Sequence, residues 1–429
     1  MRQEHPPAKG ARLQPALGLF DAAAISVGAI IGAGIYVVTG IAAGLAGPGI
    51  MISMVVAGLI AALTALSFAG LSAALPKEGG GYEYAFRLIS PYVGFLSGWM
   101  WILSNMFGGA AVGFAHYLAA FIPRLPLAVI AAGLCLALTF LNYAGIRHSA
   151  SVNNVLVIAK VAILLFFIGV GLSFVRFGNF RPFVPHGPLG ILKGSAILFF
   201  AYGGYARVTT VAEEVKTASR TIPRAIILAL IISTVLYLGT AFVAVGLIGS
   251  EGLAASHSPL SLAAAATKNS FAAYVVSLGA IIATASVLLM TVLGMSRMTY
   301  AMARNGQLPS FLSRIHPRFS TPHVAVLTTG IGSCVLVFGG FSRAVAVGTF
   351  ALLFHHGLAN LAALRLAPEK RRLPRVIPAL GLLSCTSLLV FLSRAAWIIG
   401  LTGLTLGSLL YWVRGKAGKI RPGSARVSA

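Results

Sequence analysis

A helix needs about 20 apolar residues to cross the hydrocarbon core of a bilayer, and this chain supplies runs near that length about twelve times in succession. The runs lie at 17–46, 49–75, 91–121, 127–146, 152–175, 189–212, 225–248, 271–299, 324–341, 344–364, 376–393 and 395–413. The polar segments between them are too short for a separate soluble domain. Charged residues make up 9% of the 429, where a soluble domain carries roughly 25%. The 25 Phe and the long aliphatic runs equally exclude a disordered chain. The expected fold is an all-α membrane protein of about 12 transmembrane helices, with one transmembrane domain at 17–413, a polar N-tail at 1–16 and a basic C-tail at 414–429.

A formal net charge of +24 would suggest nucleic acid if the basic residues gathered on one folded face. They are instead distributed between the apolar runs, so no nucleic-acid partner is expected and the lipid bilayer is the surrounding one. With the N-terminus inside, the N-tail, the even-numbered loops and the C-tail hold 23 Lys and Arg, against 7 outside, counting Arg297 and Lys193 near the ends of their runs with the adjoining loops. This bias predicts a multi-pass protein of the cell membrane with both termini cytoplasmic. The tail carries Pro6 and Pro7 but no compact apolar core followed by a small-residue cleavage site, so a cleaved signal peptide is not expected. Cys135, Cys334 and Cys385 all fall inside apolar runs without metal-ligand spacing and read as small buried hydrophobes.

The first run, 30 residues long, exceeds what one straight span requires, and Gly28, Gly32 and Gly34 fall near its middle. A break there would leave backbone groups unpaired at membrane depth, where each is costly unless a ligand, ion or water satisfies it. The alternative is a close packing face, because Gly28 and Gly32 have the small-xxx-small spacing. The sixth run carries a second candidate in Tyr202-Gly203-Gly204-Tyr205-Ala206-Arg207. Runs 1 and 6 are five apart, so two five-run halves would have opposite orientations in the membrane. Matching interruptions in corresponding helices point to a transporter site at the midplane. The expected architecture is a five-plus-five inverted-repeat core, with repeats at about 17–175 and 189–364, interrupted helices 1 and 6, and two C-terminal helices at 376–413.

Several segments resemble the amino acid, polyamine and organocation (APC) superfamily of transporters, and within it the amino acid permeases. They are Gly28 to Tyr36, Pro76-Lys77-Glu78-Gly79-Gly80-Gly81-Tyr82, Gly94-Phe95 with Gly98-Trp99, and Phe200 to Gly204. Glu213-Glu214-Val215-Lys216 with Ile222-Pro223-Arg224, and Tyr300 to Gly306 with Leu308-Pro309, follow in the family's order. The resemblance implies an amino acid as the small-molecule substrate. Its carboxylate would fall to Gly32, Ala33 and Gly34, and its ammonium to carbonyls of Ile30, Phe200, Ala201 and Gly203. A helix start suits the carboxylate because free N–H groups and the dipole favour negative charge there. Phe200 holds the place of an aromatic lid, while Tyr202 and Tyr205 can equally be core aromatics.

Lys160 lies 8 residues into the fifth run, about 12 Å at 1.5 Å per residue, too deep to snorkel easily. An ammonium deprived of water is costly, which makes it a candidate proton carrier; the alternative is a static cation tied to carbonyls. The resemblance implies the first role, with Gly28, Ile31, Thr284 and Ser286 around the amine and protons as the coupling ion in place of any cofactor. Where many amino acid permeases have an acid, this chain has Ala206 followed by Arg207, which argues against a cationic substrate. Arg207 could meet an anionic side chain, or pair with Glu214 seven residues on; the pairing is the preferred expectation, within an otherwise solvated loop at 213–224. No Walker, His-Glu-x-x-His or Gly-x-Ser-x-Gly sequence is present, so neither ATP drive nor an enzyme is expected. The expected function is proton-coupled amino acid uptake, with an exchanger, an amine or polyamine permease, or a non-transporting sensor as alternatives. The sequence leaves an accessory subunit open.

Overall fold

A computed structural model describes residues 12–32, 34–106, 114, 118, 127–336 and 341–416. Ala33, the second half of the third apolar run and most of both tails lie outside the described residues. The helices are α1 (Leu19–Ile30), α2 (Thr39–Ala46), α3 (Ile50–Ala74), α4 (Gly81–Leu88), α5 (Pro91–Met106), α6 (Leu127–Tyr143), α7 (Ile146–Leu172) and α8 (Gly187–Tyr202). They continue as α9 (Ala218–Ala254), α10 (Pro259–Ala265), α11 (Ser270–Arg304), α12 (His323–Leu336), α13 (Phe341–Leu364), α14 (Val376–Val390) and α15 (Arg394–Lys416). Among the described residues no strand forms, only an isolated bridge between Leu17 and Val215. Among the described residues six helical stretches are long and apolar enough to cross a membrane, and four shorter apolar helices fall on the fourth and the ninth to eleventh runs.

The long helices are amphipathic in the sense opposite to a soluble protein. α7 turns Val155 (67% exposed) and Ile158 (58%) outward and buries Asn153 and Lys160. α9 likewise exposes Ile231 and Val235 while burying Ser233 and Thr240. Such a surface is stable only against hydrocarbon, where polar groups must find partners inside the bundle. The structure thus describes a multi-pass membrane protein.

α1 sits at the centre, packed against α7, α9, α11 and the stretch that follows α8. Its helix ends at Ile30, and Ile31 is extended (ψ 99°). After the interruption the chain re-forms as a π-helical turn at Gly34–Val38 that runs directly into α2. The sixth run changes winding too: α8 stops at Tyr202, and Gly203–Glu214 continues as a 3₁₀ helix with a kink at Val211. The N-terminal end of α1 is tied to the far end of that stretch, since the amides of Ala16 and Leu17 donate to Glu214 O (2.8 and 3.0 Å) and Lys216 N to Leu17 O (2.9 Å).

Candidate functional site

The two interruptions meet. A Cβ on Gly34 would lie 2.6 Å from Ala201 Cβ, and one on Gly204 would lie 2.3 Å from Ala29 C and 2.5 Å from Ile30 N. Only glycine at 204 lets the two main chains come this close. Gly204→Ala should therefore cost about 1–3 kcal/mol by overpacking, read as a lower unfolding midpoint of the purified protein; an unchanged midpoint would show that the backbones can part freely. Tyr237, on α9, bridges the breaks: its hydroxyl lies within donating distance of Ile30 O (2.7 Å) and Ala201 O (3.2 Å). One proton serves one carbonyl at a time, so these bonds are alternatives, and a carbonyl oxygen has two lone pairs with which to accept.

Lys160 reaches the break from the other side. Its Nζ donates to Gly28 O (2.9 Å), Ile31 O (2.6 Å) and Ser286 Oγ (3.0 Å), and the side chain is fully buried. An ammonium has three N–H donors, and here each has an acceptor. Ser286 Oγ in turn donates to Asn153 Oδ1 (2.9 Å), and Asn153 Nδ2 to Ala24 O (2.9 Å). Asn153 lies two turns before Lys160 on α7, so both work on the same face. Thr284 does not join them: its hydroxyl lies within bonding distance of Ala280 O and Ile281 O of its own helix. Residues two apart on a helix point about 200° apart, so Ser286 faces the lysine and Thr284 cannot.

Of the other expected residues, Gly32 packs on Val287 of α11, and its carbonyl accepts from Ile35 N and Tyr36 N to start the second half-helix. Phe200 leans on Gly348 of α13, and Gly203 lies against Leu352. Tyr202 and Tyr205 are wholly buried and belong to the core. Asn153 and Tyr237 were not singled out by sequence reasoning, because a lone Asn or Tyr in an apolar run carries no signal until its partner is known.

Arg207 and Glu214 do not pair. Arg297, on α11, holds Glu214 in a two-pronged bond, Nε to Oε2 at 2.9 Å and Nη2 to Oε1 at 3.0 Å, with both side chains buried. Seven residues apart lie within about 20° on an α-helix but about 120° apart on a 3₁₀ helix, the winding found at 203–214. The segment around Glu214 is therefore not a solvated loop. Arg304 binds Glu213 (2.9 Å), and Glu213 and Glu78 exchange bonds, each carboxylate accepting the other's backbone N–H. Burial first, and then the charge of Glu214, push the Glu78 carboxyl well above the usual carboxylate range. These groups latch the end of the bundle at which residues 16–17 also attach.

Residues 17–413 match the sequence model of a family described as amino acid permease. The chain is 32% identical to the branched-chain amino acid permease BcaP of Bacillus subtilis (strain 168), an alignment covering 94% of this chain and 93% of that one. It is also 32% identical to the methylthioribose transporter of the same organism, over 94% of each chain. With the vacuolar cationic amino acid transporter 4 of Arabidopsis thaliana it shares 34% identity, over 79% of this chain and 61% of that one.

Proposed function

The chain belongs to the amino acid permease family, and from that premise we propose that it is a secondary active transporter that takes up an α-amino acid together with a proton by alternating access. The observation that carries the coupling is Lys160 bonded at once to Gly28 O and Ile31 O, on the last turn before the break in the first span. Protonated, the amine satisfies three acceptors. Neutral, it has two donors and a lone pair, so either one of its three contacts is lost or Ser286 turns its hydroxyl from Asn153 to the amine, and in both cases the break loosens. The protonation state of one side chain thereby biases the geometry of the substrate site, which is what linkage between proton and substrate requires.

The substrate's carboxylate then rests at Gly32, Ala33 and Gly34, ahead of the half-helix that begins at Gly34. Its ammonium donates to Ile30 O and Ala201 O, next to Tyr237, with Phe200 and Gly203 closing the space. The five-plus-five repeat of a twelve-span fold, with both termini cytoplasmic, supplies two helix groups that rock about this point. In that orientation the Arg297–Glu214 latch lies on the cytoplasmic side and opens to release substrate. The relatives are named for branched-chain, cationic and methylthioribose cargo, so the residues of this chain decide the side-chain end. Ala206 offers no carboxylate to a cationic one.

The test is uptake of a labelled amino acid panel by the purified chain in sodium-free liposomes, with and without an inward proton gradient. The gradient should raise uptake of at least one amino acid. Uptake that depends solely on amino acid preloaded inside would identify an exchanger and overturn the symport.

A further inference from the structure

We propose that Arg207, Asn105 and Thr291 form a seat for a small monovalent anion at the distal end of the substrate site, filled by a carboxylate on the substrate's side chain or by a free chloride. The inference rests on reading the two helix breaks as the substrate site. Along residues 197–207, Ile197, Phe200, Gly203 and Arg207 keep partial exposure while the residues between them are buried. Arg207 lies four residues beyond Gly203, about 120° round the 3₁₀ helix from it, and its stem packs on Gly294 of α11. Thr291, which the guanidinium meets, stands one turn along α11 from Val287, the residue that packs on Gly32 at the first break.

The guanidinium has only neutral partners. Nη1 donates to Thr291 Oγ1 (2.7 Å), Nη2 to Asn105 Oδ1 (2.5 Å), and the group lies over the Trp101 ring at 5.6 Å. Nε is buried and has no hydrogen-bond partner among the described residues. The chain has eight carboxylates, and none of the seven described meets Arg207. Glu214 is taken by Arg297, Glu213 by Arg304, Glu83 by Arg87 and Asp21 by Asn154. Glu78 faces the Glu213 amide, and Glu251 and Glu369 are exposed. A cation at membrane depth is costly without a counter-charge, and here the fold provides orientation without neutralisation. Two of the five N–H donors are engaged; Nε and one hydrogen on each Nη are left, and Nε with a neighbouring Nη presents the fork that takes a carboxylate. A cationic side chain is repelled from the same place.

Equilibrium binding of glutamate, glutamine and leucine to the purified full chain, in chloride and with gluconate in its place, tests this. If the substrate brings the anion, glutamate should bind about tenfold or more tighter than glutamine, the factor expected for a hydrogen bond to a charged group. Arg207→Gln should bring that ratio to about one, while Arg207→Lys retains part of it. If chloride fills the seat, leucine affinity should fall on its removal in the wild type and become indifferent to it in Arg207→Gln. Size-exclusion elution and the melting midpoint establish that each variant is folded. The seat is overturned if all three amino acids bind with neither a glutamate preference nor a chloride dependence, or if either persists in Arg207→Gln. Should none of the three bind the wild type, the reading of the helix breaks as an amino acid site fails, and the seat with it.

Discussion

Lys160→Ala abolishes accumulation driven by an inward proton gradient and leaves, at most, equilibration across the membrane. A gradient of one pH unit is worth about 1.4 kcal/mol per proton, so one-to-one coupling supports about tenfold accumulation in the wild type; the variant's inside-to-outside ratio should be about one. Alanine removes the amine that donates to both Gly28 O and Ile31 O. Because those carbonyls also lose a donor, a fold check by melting accompanies the measurement. Lys160→Arg separates a proton carrier from a fixed cation: a guanidinium keeps the charge and does not give up its proton. The arginine variant should also fail to accumulate substrate. An arginine variant that accumulates as the wild type does would reduce Lys160 to a static tie.

Arg297→Met destabilises the chain by about 3–5 kcal/mol, the cost of removing one partner from a buried ion pair and leaving the other charge stranded. Both side chains are buried, at 0% and 1% exposure, and the bond is two-pronged. The neighbouring Arg304–Glu213 pair, at 30% and 25% exposure, is open to solvent, so Arg304→Ala should cost no more than about 1 kcal/mol. Melting of the purified variants in one detergent distinguishes the two. Equal, small shifts would mean that Glu214 finds another partner and that the latch is not a unit.

The apolar runs made a membrane protein legible, because no soluble fold can hide that much apolar surface. The glycines of the first run and the Gly203-Gly204 pair marked the interruptions, since glycine tolerates close main-chain approach where other residues clash. Lys160 stood out as a lone cation in an apolar run. Its partners were legible in part: Ser286 meets it and Thr284 does not, a difference set by helix phase, which the sequence leaves open until the face turned to Lys160 is known. Arg207 was misassigned to Glu214 for a related reason, because the seven-residue spacing was read on an α-helix while the chain winds as 3₁₀ there. Asn153 and Tyr237 were out of reach altogether: each acts on another span's carbonyl, across 129 and 207 residues of sequence.

The central claim is that substrate and proton cross together, and simultaneous recording of both tests it most directly. Sodium-free liposomes holding the purified chain and a pH-reporting dye, with no gradient imposed, are presented with the transported amino acid outside. The account predicts that substrate influx acidifies the lumen and that Lys160→Ala removes the acidification. Substrate influx in the wild type with no change in luminal pH would contradict it.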